Sequence, residues 1–396
     1  MKRIFFIIGI VIILILAGIL LFLLFANDQQ KKDVFSAFGL DGTTVADVSI
    51  GDVVDAILPG NNGKLLPLRQ LTFKRVVGAA EATSDASSTN PAVYYAEAGT
   101  GYIFSLDVVS GEERKISNIT IPTANQAAIA PDGTLAAVAA NVTAEGRDLT
   151  VISLSKESGD AQSNKLSEPV KDFTLSTDNF VLYTTLSGGT LAGRSYNPAT
   201  QEIKTLFSLP FKEATVRFGR KSTDSIFVYP KTADSLEGYL YEVNGGVIQR
   251  LPVAGFGLAA ISSNNYQLYS LFTNGVYTSY AYNAQGKESS SITTVIPEKC
   301  HFLQEDARVF CGINFSLNKN SASNWYKGTE MISDDLWLLD LTGNNNPTLL
   351  ATPKDLVGQD IDVLSPISSQ DGNRFYFTNK IDGTLWILDR ALVETQ

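Results

Sequence analysis

A polar tight turn followed by an alternating strand recurs through most of this chain, and its spacing restricts the fold more than any other feature. The turns are Pro131-Asp132-Gly133, Thr177-Asp178-Asn179, Thr223-Asp224-Ser225, Ser263-Asn264-Asn265, Glu305-Asp306-Ala307 and Gln370-Asp371-Gly372. The gaps between their middle residues are 46, 46, 40, 42 and 65. After each turn comes a β-branched or aromatic run of strand length, as in Phe180 to Thr184, Tyr266 to Phe272 and Arg374 to Thr378. A further strand follows, as in Gly101 to Asp107, Asp148 to Leu154, Asp335 to Asp340 and Thr384 to Asp389. Before the turns lie runs of small residues, such as Ala127 to Ala130 and Leu258 to Ala260, suited to strands crowded around an axis. A period of this length built from strands alone predicts the blades of a β-propeller.

The blades count to seven. Thr89-Asn90-Pro91, followed by Ala92 to Tyr95, takes the turn's place 42 residues before Asp132. The 65-residue gap holds an insertion near 313–334, and removing it restores the period. The last unit ends at Asp389 without an outer strand. Leu66 to Thr72 has outer-strand character and runs into Val76 to Ala80, an inner strand, so pairing the two ends closes the ring and removes an exposed edge. Such a ring also explains how one chain organises about 330 residues, since each blade packs only on its neighbours. The 21 Phe and 15 Tyr suit alternating strands.

Residues Ile4 to Phe25 are an apolar run of 22, which as a helix reaches about 33 Å and crosses a bilayer. A cleaved signal peptide has a shorter apolar core and a small-residue cleavage site; here Leu24 occupies the −3 position before Ala26. The expectation is therefore an uncleaved anchor. Lys2 and Arg3 argue for an inside N-terminus, although Lys31 and Lys32 lie on the other flank. The only cysteines, Cys300 and Cys311, are spaced equally about the Glu305-Asp306 turn, which sets them opposite each other on a hairpin. A disulfide is expected there, the alternative being two small buried thiols. A disulfide persists in an oxidising compartment, so the expectation puts the ring outside the cytoplasm. The expected organisation is all-β: a seven-bladed β-propeller (65–392) preceded by a cytoplasmic N-terminus (1–3), one transmembrane helix (4–25) and a stalk (26–64). The stalk carries a short amphipathic stretch, Val45 to Leu58.

Catalytic signatures are scarce. The single His, His301, adjoins Cys300 on a strand, so the two side chains point to opposite faces and make no nucleophile–base pair. One His and two paired Cys leave no conventional zinc site, and neither a Gly-x-Ser-x-Gly elbow nor a Walker-type loop occurs. No cofactor is expected, except that Asp334-Asp335 with Asp360 and Asp362 can hold Ca²⁺, or act as acid and base, if folding converges their oxygens. Asp107, Asp340 and Asp389 end equivalent strands and read as turn residues. A formal charge of −10 and a pI near 4.8 argue against nucleic acid or anionic lipid as a partner.

The insertion is the one irregular feature. It carries Trp325, Tyr326 and Lys327 on a polar loop, Asn314 to Gly328. Such a loop on a rigid scaffold is a candidate binding site; equally, Trp325 can simply fasten the loop to the rim.

The units Ala130-Pro131-Asp132-Gly133-Thr134-Leu135 and Gln370-Asp371-Gly372-Asn373-Arg374-Phe375, with Thr384 to Asp389, resemble the Asp-Gly repeats of TolB-like and WD40-like propellers. The resemblance spans about 90–390, is specific in two or three units, and lacks the Gly-His and Trp-Asp marks of true WD40 repeats. The anchored arrangement is similar to uncharacterised single-pass propeller proteins of bacteria. The resemblance implies a binding scaffold in the cell envelope, with a protein, peptide or glycan partner, and supplies no catalytic residue. The alternative is a propeller hydrolase or lactonase using channel carboxylates.

Overall fold

The structure is a computed structural model. It describes residues 65–82, 90–154, 161–263, 265–285, 288–303, 307–342 and 347–393. The chain divides into Met1–Asp55, wholly outside the described residues, and Ala56–Gln396. The expected anchor, stalk and amphipathic stretch, and the turn at Glu305-Asp306, therefore lie outside the described residues. Among the described residues no helix is long and apolar enough to cross a membrane.

Seven antiparallel four-stranded sheets make up the second unit. Blades 1 to 6 are each four consecutive strands, their inner strands being Val76–Ala82, Gln126–Ile129, Asp172–Leu175, Ala214–Arg217, Ala259–Ser262 and Cys300–Phe302. Blade 7 takes Val363–Ser368, Arg374–Asn379 and Leu385–Asp389 from the end of the chain and Leu68–Gln70 from its start. Leu68 faces Leu388 and Gln70 faces Trp386, and the Leu385 amide donates to Thr72 Oγ1 at 3.0 Å. The ring thus closes through the segment expected from the sequence.

The core is divided among the gaps between blades. Each of the seven gaps holds one buried apolar cluster, for example Phe310 and Leu336 of blade 6 against Phe375 and Trp386 of blade 7. Phe310 and Phe375 stack with centroids 4.3 Å apart. At 25 cal/mol per Å² of apolar surface, such burial is what holds neighbouring blades together. Small residues let the inner strands converge: a Cβ on Gly78 of blade 1 would lie 2.1 Å from the Ala127 carbonyl oxygen of blade 2.

The described Asp turns, at Asp132, Asp178, Asp224 and Asp371, join the first and second strands of their blades, on one face of the ring. Asp132 Oδ1 accepts from the Thr134 amide, and Asp371 Oδ1 from the Asn373 amide, while Gly133 and Gly372 take φ values of 70° and 69°. The turns also bond across blades. Asn179 donates to Asp132 Oδ2 at 2.8 Å, and the Ser222 amide donates to Asp178 Oδ1 at 2.9 Å. Asp107 and Asp340 cap the turns after their strands in the same way. These aspartates are therefore occupied by the architecture.

Candidate functional site

The opposite face carries the connections between second and third strands and those between blades. The insertion, residues 314–334, belongs to it, lying between Arg308–Ile313 and Asp335–Asp340 of blade 6. It crosses blade 5, where the Asn320 amide donates to the Gly275 carbonyl at 2.9 Å. A short helix, Ser321–Tyr326, follows, with Ser321, Ala322, Ser323 and Trp325 buried. Ala322, Trp325 and Ile332 form one cluster with Tyr277 of blade 5 and Ile296. This segment is a strap packed across three blades.

The three residues singled out in the sequence occupy different places. Trp325 is 5% exposed. Its indole Nε1 donates to Asp362 Oδ1 at 2.8 Å and Oδ2 at 3.1 Å, and the Lys380 ammonium sits 4.0 Å above its ring. Tyr326 is turned inward, where its hydroxyl donates to Glu298 Oε2. Burial and that carboxylate hold the phenol well above its ordinary range. Only Lys327 is exposed, with Nζ 3.1 Å from Asp234 of blade 4. Trp325 fastens the strap, and the strap's exposed large apolar side chains are Phe315 and Met331.

Beneath the strap lies a cluster that sequence reading did not assemble. Lys299, just before the inner strand of blade 6, is 1% exposed. Its Nζ lies 2.5 Å from Asp334 Oδ2 and 2.6 Å from Asp362 Oδ1. Folding thus does converge Asp334 and Asp362, but Lys299 fills the place a Ca²⁺ would take. Asp360 instead pairs with Lys354 at the surface. Gly312 leaves the carboxylate room: a Cβ there would come within 2.6 Å of Val363 and 3.0 Å of Asp334 Oδ2. Burial pushes the Asp334 carboxyl up to about 6, against the pull of Lys299 and of the Val363 amide. The only local signal was the Asp334-Asp335 pair; Lys299 is 35 and 63 positions from its two partners.

The inner strands add further polar groups. Arg217 Nη2 lies 3.4 Å from Glu298 Oε1, and Arg217 Nε donates to the Ala260 carbonyl at 3.3 Å. Gln126 donates to Asp172 Oδ1 at 3.3 Å, and Arg147 donates to Gln126 Oε1. His301 faces Phe310 in the adjoining strand, and burial, with Arg220, lowers its pKa to about 4. Cys300 faces Cys311, and the two form a disulfide with S–S 2.08 Å. Among the described residues no three His, Cys, Asp or Glu side chains are placed to hold a metal ion. On the turn face, a shallow groove of about 480 Å³ between blades 2 and 3 is lined by Ser153, Asp178, Asn179 and Asn197 among others.

Among the described residues, the strap face also carries most of the exposed large apolar side chains. Phe73, Val142, Leu236, Phe256, Val276, Phe315, Met331, Leu356 and Ile381 all lie in its connections or at strand ends that reach it. Val109, Ile203, Val247, Ile248 and Leu349 belong to the other end of the blades. The Leu236 carbonyl accepts from the Gly257 amide, which places Leu236 beside Phe256 on one corner of blade 4. Val276 begins the third strand of blade 5, directly after Gly275, which touches Lys319 of the strap.

No family model matches the chain, and no curated protein matches it. Solved structures do. An oligogalacturonate lyase from Vibrio parahaemolyticus aligns with TM-score 0.54 at 11% identity, covering 83% of this chain and 95% of that one. The hydrazine synthase of Kuenenia stuttgartiensis aligns with TM-score 0.54 at 10% identity, covering 81% and 97%. The β-propeller domain of the Trilobed protease from Pyrococcus furiosus aligns with TM-score 0.52 at 13% identity, covering 80% and 96%. That domain is described as having an open velcro topology, whereas here Leu68–Gln70 pairs with Leu385–Asp389. At such identities the likeness concerns architecture alone: this chain is a seven-bladed β-propeller.

Proposed function

We propose that the chain is a membrane-anchored, extracytoplasmic binding scaffold, held by residues 4–25 and presenting the strap face to a protein or peptide of the cell envelope. The observation that carries this reading is the gathering, among the described residues, of nine exposed large apolar side chains on one face, together with the strap, while five lie elsewhere. Exposed apolar side chains concentrated on one face mark interaction surfaces. The first described residue, Leu65, enters the ring at the turn face. The disulfide supports an oxidising compartment. TolB-like propellers and anchored propeller proteins of bacteria remain the family reading that the Asp-Gly repeats support. Within the candidate binding loop, Lys327, exposed and paired with Asp234, is the residue at the surface to meet a partner, while Trp325 and Tyr326 shape its support.

The alternative is a hydrolase or lactonase. Its supporting observation is the pair of inner carboxylates Asp172 and Glu298, both already hydrogen-bonded, to Gln126 and to Tyr326 with Arg217 nearby. Crosslinking and pull-down from native membranes separates the two readings. The wild-type chain is expected to capture a discrete protein, and Phe256→Asp with Val276→Asp to lose it at unchanged thermal stability, since both side chains are exposed. Turnover of a small sugar or lactone with no protein captured would overturn the scaffold reading.

A further inference from the structure

The Lys299 cluster has the composition and placement of a reaction site as much as of an ion pair. An ammonium lies 2.5 and 2.6 Å from two carboxylates, and none of the three side chains is more than 1% exposed. Burying three charges in so dry a place is costly unless every charge is fully partnered. The two carboxylates are unequally partnered. Asp362 accepts from the Trp325 indole at both oxygens, from the Ile332 amide at 3.1 Å and from Lys299. Asp334 Oδ2 accepts from Lys299 and from the Val363 amide at 2.8 Å, but Asp334 Oδ1 is buried with no partner.

We propose that Lys299 and Asp334 become joined by an intramolecular amide bond, with Asp362 as the proton carrier. Lys299 Nζ gives up one proton and attacks Asp334 Cγ, forming the C–N bond. Oδ2 carries the developing charge and is met by the Val363 N–H already pointed at it, as an oxyanion donor is. A second proton then leaves the nitrogen. Asp362 relays both protons to Oδ1, the oxygen that carries no hydrogen bond, and the C–Oδ1 bond breaks to release one water. Atoms and charge balance: an ammonium and a carboxylate become an amide and a water, with no oxidant, nucleotide or external acid. Asp362 ends with no net gain of protons, still held by the Trp325 indole and the Ile332 amide. Fixed proximity of amine and carboxyl supplies the rate advantage such a condensation needs, and the buried site excludes bulk water from the reverse reaction. The product removes two buried charges. It also ties the entry to blade 6 to the last residue of the strap, one position from the disulfide that ties its first two strands.

Intact mass of the full chain, purified without heating, is the test. The expected value is the disulfide-bonded mass less one water. After reduction and tryptic digestion, a branched peptide joining 288–308 to 328–354 is expected, with no cleavage after Lys299. Lys299→Arg and Asp334→Asn should each restore the full mass, whether or not the strap stays docked, because the mass is read on the denatured chain. An undiminished wild-type mass overturns the proposal. So does a missing water mapped to any other peptide pair, including one that contains Asp362.

Discussion

Trp325 offers a direct measure of how the strap is held. Truncating a buried Trp costs about 3–5 kcal/mol through lost contacts and the cavity left behind. Its single indole N–H is shared between both oxygens of the Asp362 carboxylate, at 2.8 and 3.1 Å. Trp325→Phe keeps the ring and removes those bonds, at a cost of about 1.5–3 kcal/mol for a hydrogen bond to a charged group. Each blade rests on its own inter-blade cluster, and Trp325 belongs to the separate cluster under the strap. The loss should therefore appear as local release of 314–334 while the ring stays folded. Trypsin cleavage at Lys319 and Lys327, both exposed, reads that release. When reclosing is faster than cleavage, the rate follows the open population. A cost of about 3 kcal/mol raises it roughly 100-fold, so Trp325→Ala should be cut at least that much faster than wild type. Trp325→Phe should be cut about 10- to 100-fold faster. Phe315→Ala, an exposed site on the same strap, should change little. Trp325→Ala within about threefold of wild type would refute the idea that this indole fastens the strap.

Two other outcomes test the site's surroundings. His301 has a folded pKa of about 4 against 6.5 for the ordinary side chain, so between those values the unfolded chain binds more protons. Stability is then complete above about pH 6.5 and lost as pH falls towards 4. The imidazole is partly exposed, which cuts the loss to about 1–2 kcal/mol from the roughly 3 of a dry site; denaturation midpoints of His301→Gln should lack that slope, and a parallel decline would refute the assignment. Reducing Cys300–Cys311, which closes a loop of separation 11, should lower unfolding stability by about 2–3 kcal/mol, read as the shift in denaturant midpoint with and without reductant.

The architecture was legible because its determinants are local. Asp132-Gly133 and Asp371-Gly372 specify their turns within four residues, and the hydrophobic alternation after them needs no distant partner to be recognised. The closing strand was legible for a related reason: a count of strands left one missing at the end and one spare at the start. The insertion showed as a break in the period. What it does was not visible, because Trp325 bears on Asp362, which is 37 positions away. Lys299 was equally silent, as nothing in Pro297-Glu298-Lys299-Cys300 indicates that two aspartates from different blades converge on its amine. The gathering of Leu236, Phe256 and Val276 on one face likewise follows from how strands alternate around the ring, which fixes which ends of which strands are neighbours.

The closing strand has a consequence for the order in which the molecule is made. Thr72 meets Leu385 across 313 positions, so the first blade-forming segment to leave the ribosome is the last to find its partner. Six blades can stack as they emerge, each on the one before. The seventh waits until Leu385–Asp389 has been made and then recruits the three residues Leu68–Gln70. Loop closure over that span slows the step more than it weakens the finished ring. A chain that stops short of Asp389 would keep its other blades and lose the circle.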